Sequence, residues 1–461
     1  GLASSMEELI VFRAVQGVGG GLIMAAAFTT VGDCFAPADR GRWQGLFAGV
    51  FALSLVIAPL VGGSLTDYLS WRWVFFVNLP VAAIALAVVL WGMPWFRPRE
   101  RRPIDYRGGL LLIAATVPLL VGLSWAGNQY GWTESPVLIA FVIGVAAILL
   151  FLLFGRHRPD GVLPLSLFRN RVFVVSSLIA ATIGVGMFGV MQFLPLFIQG
   201  VQGESATSSG TVTMPMAIGI VIGSALTGQI MSRGLPYRPL AVGGAVAASL
   251  GIFLLSSLSA DSGTWAPRGY MVVFGLGVGA MLPLITVSVQ NALPFRLMGV
   301  GTASTQFFRQ IGGALGVAVF GSIMFATLAT GLSESTLPGV DLLRDRPQIL
   351  LDPEALSGFR ESLDARIPGA SAPAIEATRI ALGDAITNLF RIAGVIMALA
   401  AVVALFLPQP RLRTREELMQ QAGVRPTPTR ADPSPVLVLA GVRAPQHGVG
   451  QGAAPRGRSA S

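Results

Sequence analysis

Arg13 and Gln16 stand three residues apart in Leu9-Ile10-Val11-Phe12-Arg13-Ala14-Val15-Gln16-Gly17-Val18-Gly19-Gly20-Gly21-Leu22, a stretch otherwise apolar enough to lie in a bilayer. A guanidinium at membrane depth costs ~3 kcal/mol on insertion scales, so it is normally kept only where it faces a cavity or a partner. That marks Arg13 as a functional candidate; the competing reading is a side chain that snorkels to the nearer interface. At helical spacing Gln16 can bond Arg13, a bound solute or a neighbouring helix. A second guanidinium, Arg309, lies in the apolar stretch Gln306-Phe307-Phe308-Arg309-Gln310-Ile311-Gly312-Gly313, as a pocket residue or as a snorkeller. Gln192 and Phe193 are further pocket candidates, although core packing accounts for them as well.

Other chemistry is missing from the sequence. All 32 basic residues are Arg, so the Gly-x-x-x-x-Gly-Lys nucleotide loop is impossible. Cys34 is the single cysteine, and the two histidines, His157 and His447, fall outside the apolar stretches. Asp33, Asp67 and Asp384 sit near the ends of such stretches. Neither a metal-ligand set nor paired carboxylates emerge, so the reading is not an enzyme, with no metal and no cofactor. Proton-coupled transport needs a titratable group in the pathway, and none lies deep in these stretches.

The elements that must hold these residues are membrane helices. Charged residues are 12% of the chain and hydrophobic ones 53%, with mean hydropathy +0.69. A soluble protein carries about twice that charged share. Eleven apolar spans are expected: 9–33, 43–66, 71–94, 108–127, 135–155, 172–199, 209–231, 238–258, 267–294, 300–327 and 387–408. Each approaches the ~20 residues that cross a bilayer as a helix. The net charge of +9 invites a nucleic-acid reading. The arginines instead concentrate in alternate short loops (Arg40, Arg97, Arg107, Arg156, Arg169, Arg171, Arg233, Arg238, Arg296) and in the tail. The positive-inside rule puts those loops and the C-terminus in the cytoplasm and excludes nucleic-acid partners. The connection 328–386 then lies outside, and residues 409–461 read as a disordered Pro/Gly/Arg-rich tail.

Gly17-x-Gly19-x-Gly21 recurs as Gly275-x-Gly277-x-Gly279, each followed by a short Pro/Arg loop. Parallel repeats of this kind build two-halved secondary transporters. Residues 1–94 form one half, 95–160 two linker helices and 161–408 a six-helix second half.

These motifs together resemble the major facilitator superfamily, in its fourteen-helix drug:proton antiporter branch. Arg13-x-x-Gln16-Gly17-x-Gly19-Gly20 is similar to the fourth-helix motif. Gly45-x-x-x-Gly49 with Pro59-x-x-Gly62-Gly63 is similar to the fifth-helix antiporter motif, with Ala58 where Gly is usual. Trp71-Arg72-Trp73 opens a sixth-helix pattern, and Gly228-x-x-x-Ser232-Arg233-x-x-x-x-Arg238 resembles the second-half cytoplasmic gating loop. The resemblance implies an all-α polytopic bundle with two linker helices and the family's first three helices missing. It implies efflux of amphipathic, cationic or lipophilic compounds by alternating access in exchange for protons, at the cell membrane. It assigns Arg13 and Gln16 to coupling and Gly45, Gly49, Pro59, Gly62 and Gly63 to packing that favours antiport. The partners implied are lipid bilayer, small amphipathic substrate and protons. A lipid, peptide or metabolite exporter on the same fold, or a non-transporting truncated fragment, are the alternatives.

Overall fold

In the computed structural model, the described residues are 1–35, scattered positions between 43 and 65, 68–92, 105–126, 130–156, 161–233, 236–333, 337–345, 349–350 and 353–408. Among these the chain is helical throughout. In order come α1 (Met6–Cys34), the short α2 (Trp73–Phe76), α3 (Asn78–Gly92), α4 (Tyr106–Trp125), α5 (Ser135–Gly155), α6 (Arg171–Leu196), α7 (Ala206–Ser232), α8 (Tyr237–Leu255), α9 (Trp265–Ala292), α10 (Phe295–Leu332), α11 (Val340–Asp345), α12 (Pro353–Asp364) and α13 (Ser371–Leu405). Nine helices among the described residues are long and apolar enough to cross a membrane. Residues 43–65 are helical wherever they are described. The tail 409–461 and the Arg-rich loops 36–42 and 93–104 lie outside the described residues.

Local signals set the helix ends. Ser5 Oγ accepts from Glu8 N at 3.3 Å, while Ser4 N and Oγ both donate to Glu8 Oε2 at 2.8 Å. Asp105 caps α4 through Gly108 N, Asn170 caps α6 through Val172 N and Phe173 N, and Ser205 caps α7 through Ser208 N. Pro195 ends the regular ladder of α6, which continues as a π turn over Phe197–Val201. α10 and α13 run further out than the apolar spans 300–327 and 387–408. Polar helical turns extend them to Leu332 and back to Ser371.

Glycine lets the helices touch backbone to backbone. A Cβ at Gly275 or Gly279 would overlap the Met216 or Ile220 carbonyl of α7; one at Gly277 would overlap Ala248 and Gly244 of α8. The reciprocal glycines on α7, Gly219 and Gly223, face Val272 and Leu276 of α9. The steps 216/275 and 220/279 advance together, so α7 and α9 run parallel. α8 opposes them, pairing 244 with 281, 248 with 277 and 251 with 274. On the other side α6 and α10 run parallel through Ala181/Gly312, Val185/Gly316 and Gly189/Phe320. Such rows of small residues replace the hydrophobic drive that lipid removes. Ser249 Oγ donates to Gly394 O at 2.9 Å and joins α8 to α13.

One hydrophobic core runs through α6–α10 and α13 and continues into α11 and α12 through Val340, Leu343, Phe359 and Leu363. Gly339 makes the turn into α11 at φ +85°, a left-handed conformation that L side chains resist. The α4–α5 hairpin interlocks at Gly144 against Leu119 and Gly122 against Ala140, and α4 packs on α10.

Two outcomes test this packing. Gly279→Val should lower the melting temperature in detergent sharply, because overpacking of this kind costs about 1–3 kcal/mol. Gly321→Val, where a Cβ meets no described atom within 4 Å, should leave it nearly unchanged. At the head of α13, Ser371 Oγ and N donate to Asp364 at 2.6 and 2.9 Å. The Ser371 hydroxyl bond, then the Ser371 amide bond, hold the Asp364 carboxyl below its usual range. This support is present above the ordinary carboxylate pKa and is lost as pH falls through the lowered value. Protection of the α12 amides relative to their intrinsic exchange rate should therefore fall on acidification, and Asp364→Asn should remove that dependence.

Candidate functional site

Arg13 lies seven residues into α1, about 10 Å along it at 1.5 Å per residue. Its side chain is exposed on the helix surface. Nη1 donates to Gln16 Oε1 at 2.7 Å, and the guanidinium stands 5.9 Å from the Phe75 ring centroid. Among the sequence's options for Gln16, the structure therefore holds the bond to Arg13. Phe75 is itself fixed edge-on by Trp71, with centroids 6.0 Å apart. Arg72 stacks over Trp71 at 4.6 Å and reaches Ala3 O at 3.1 Å, tying the start of the chain to the α2 turn. Arg13 thus sits between an amide acceptor and an aromatic face, both of which stabilise a cation without neutralising it.

The glycine motif behind it behaves differently from its repeat. A Cβ at Gly17, Gly19, Gly20 or Gly21 meets no described atom within 4 Å, whereas Gly275, Gly277 and Gly279 are wedged between two helices.

The antiporter-motif segment touches α7. A Cβ at Gly45 would stand 2.9 Å from Ser224 O, and one at Gly49 3.9 Å from the Val221 methyls. Ser224 Oγ in turn donates to Gly279 O at 2.9 Å, a buried bond. One serine therefore joins the Gly45 segment, α7 and the glycine row of α9. At Gly62 a Cβ would meet no described atom within 4 Å. Pro59 and Gly63 lie outside the described residues. In the gating loop Gly228 is buried, Arg233 and Arg238 are exposed, and Arg238 Nε donates to Leu407 O at 3.2 Å. That bond fastens the loop to the end of the last helix.

The pocket candidates separate. Arg309 is 4% exposed, about 21 Å along α10 from Phe295, and its Nε donates to Gln306 Oε1 at 2.9 Å. It is a packed interior residue, not a snorkelling one. Its carbonyl lies against Gly184 of α6, whose missing side chain permits the approach. Phe193 is also in the α6–α10 interface, buried edge-on against Phe320 at 6.3 Å. Residue 320 lies 11 positions beyond 309, about 17 Å along the helix, so Phe193 and Arg309 do not share one pocket. Gln192 is exposed.

Polar groups around Arg309 went unremarked in the sequence. Thr302, Ser304 and Thr305 of α10 are buried and donate to the carbonyls of Met298, Val300 and Gly301. Gln290 of α9 reaches Thr302 Oγ1 at 3.4 Å. Their signal was the density of Ser, Thr and Gln from 302 to 310 within an apolar stretch. Among the described residues, groups of His, Cys, Asp or Glu able to hold a metal are absent.

Among the described residues the architecture is a helical bundle with nine helices long and apolar enough to cross a membrane and with glycine-lined helix crossings. The sequence pattern of the Major Facilitator Superfamily matches residues 1–109 and 106–317, and the chain belongs to that family. It is 33% identical to the multidrug transporter protein MdtP of Bacillus subtilis strain 168 over 433 residues, 91% of this chain and 80% of that protein. Multidrug resistance protein 3 of the same organism is 31% identical over 424 residues, 92% and 81% of the two chains. The MFS-type efflux pump MFS1 of Arthroderma benhamiae is 29% identical over 414 residues, 87% and 74%. The family is one of membrane transporters, not of catalysts.

The contact between the Gly45 segment and α7 has a direct check. In a Cys34→Ser background, Gly49→Cys with Val221→Cys should form a disulfide under mild oxidation, since the side chains approach within its reach. The pair Gly49→Cys with Ile218→Cys should not cross-link, and a mobility shift reads both.

Proposed function

We propose that the chain is an efflux transporter that exports amphipathic, lipophilic compounds across the cell membrane by alternating access, in exchange for protons. The observation that carries this reading is the match, over nine-tenths of the chain, to relatives named as a multidrug transporter protein and a multidrug resistance protein. The 1–94 and 161–408 parts act as the two moving halves, with 95–160 as the linker hairpin. The Arg-rich loops and the C-terminus face the cytoplasm.

The geometry supports this reading in two respects. The Gly45–Ser224 and Gly49–Val221 contacts join the two parts by backbone and small side chains. Such a seam can part and reform without breaking ion pairs or separating interlocked large side chains. Arg13, held by Gln16 and Phe75, supplies a fixed positive charge in the first part. A fixed cation lowers the proton affinity of any carboxylate brought near it, and that affinity changes as the halves rock. The substrate is expected to be an amphipathic small molecule, with nucleotides and nucleic acids outside its repertoire.

The test uses everted vesicles holding a respiration-driven pH gradient. Substrate addition should dissipate the gradient, and Arg13→Gln should cut the rate by an order of magnitude or more while leaving protein level unchanged. Arg13→Lys should keep part of it. Absence of any pH response across a broad panel of lipophilic compounds overturns the proton-coupled reading.

A further inference from the structure

Five arginines are brought to one face of the molecule by packing that their sequence positions do not reveal. Arg107 opens α4, Arg156 closes α5, Arg169 and Arg171 flank the cap of α6, and Arg296 opens α10; all five are exposed. Directly beneath them lies a separate hydrophobic cluster. Phe151, Leu163, Leu167, Phe173, Val289 and Leu293 are its buried members, with Leu111, Leu112, Leu165, Leu297 and Phe308 packed against them. Each arginine is within five residues of a member of this cluster.

The platform is firmly built. Phe168, Phe173 and Phe308 meet edge to face with centroids 5.6, 6.1 and 6.5 Å apart. Asn170 Nδ2 donates to Ala292 O at 3.2 Å, which seats Arg169 and Arg171 beside the turn that leads to Arg296. Asp105 is the only carboxylate among the described residues of these segments. It accepts from Gly108 N at 3.0 Å and from Val162 N at 3.3 Å. Among the described residues of these segments, five guanidiniums and one carboxylate stand at this end. Below them, Leu110, Ile113, Leu153, Phe154 and Phe168 are exposed apolar side chains.

We propose that this junction between the linker hairpin and the second half is a binding site for an anionic phospholipid. The headgroup phosphate lies among Arg107, Arg171 and Arg296, and the acyl chains lie along the exposed apolar side chains of α4 and α5. The positive-inside rule explains the sign of these residues but not their convergence from five separated positions onto one platform. Guanidiniums grip phosphate oxygens bidentately, and basic pockets between helices are where headgroups of anionic lipids settle. The proposal rests on the chain's spanning a bilayer; it does not depend on what is transported.

The experiment is native mass spectrometry of the full chain, offered phosphatidylglycerol, cardiolipin or phosphatidylcholine at equal concentration. Wild type should retain the two anionic lipids at least tenfold more than phosphatidylcholine, with retention falling as salt rises. Arg107→Gln/Arg171→Gln/Arg296→Gln should lose that preference. The corresponding triple Lys variant, which keeps topology and charge, should retain much of it, and Arg360→Gln, in the extramembrane α12, should leave it intact. Equal retention of phosphatidylcholine, or an unchanged preference in the Gln variant, overturns the site. Displacement of lipid by millimolar inorganic phosphate also overturns it, since the site would then be one for free phosphate. If the Gln variant fails to insert, as a C-terminal topology reporter reads, the wild-type salt titration decides: salt-independent retention overturns the proposal. Loss of transport with lipid retention intact would refute the efflux reading alone.

Discussion

The structure depends on backbone contact at glycine. In water a helix pair is held by burial of apolar surface, but inside lipid that drive disappears, because the hydrocarbon is as apolar as the side chain it would replace. What remains is close packing, and it strengthens as backbones approach. Gly275, Gly277 and Gly279 let α9 serve two neighbours at once: alternate residues face α7 and the intervening one faces α8. Because α7 and α8 answer with Gly219, Gly223 and Gly244, neither partner is held off by a side chain. Ser224 adds a hydrogen bond to this crossing and offers its own carbonyl to Gly45. The seam between the two parts of the chain is thus anchored on the same helix crossing that holds the second part together.

Much of this was legible in the sequence, and the limits are physical. The three-residue step from Arg13 to Gln16 offered the bond that the structure holds, whereas the Gly-x-Gly-x-Gly of α1 packs unlike that of α9. Hydropathy located the spans that the structure describes as helices, within a few residues at most ends. What spacing cannot give is azimuth. Nothing in the sequence says that Gly277 turns towards α8 while Gly275 turns towards α7, or that Arg309 is buried where Gln192 is exposed. Pocket and snorkelling readings of Arg309 both place an arginine in an apolar stretch; its burial at 4% exposure excludes the second. Likewise five arginines read one loop at a time are topology signals, and only the Phe168–Phe173–Phe308 platform makes them one surface.

α10 shows how polarity and packing coexist in one helix. Its buried hydroxyls donate to carbonyls three or four residues back, so they are satisfied without a partner helix. That leaves the face with Gly312, Gly313 and Gly316 free to meet α6 closely. It also leaves Arg309, braced by Gln306, as a fixed charge in the packed interior.

Fixed is the operative word for both intramembrane arginines in the proposed cycle. In that cycle Arg13 and Arg309 would act through their charge. A carrier must be a group whose affinity for a proton crosses ambient pH, and a carboxylate near a cation does so only when desolvation or distance offsets the cation's pull. In the proposed cycle the arginines would set the field in which such a group is tuned. Among the described residues Arg13 is held by a neutral amide and an aromatic face, which leave its charge in place. A permanent ion pair there would cancel the field that coupling requires.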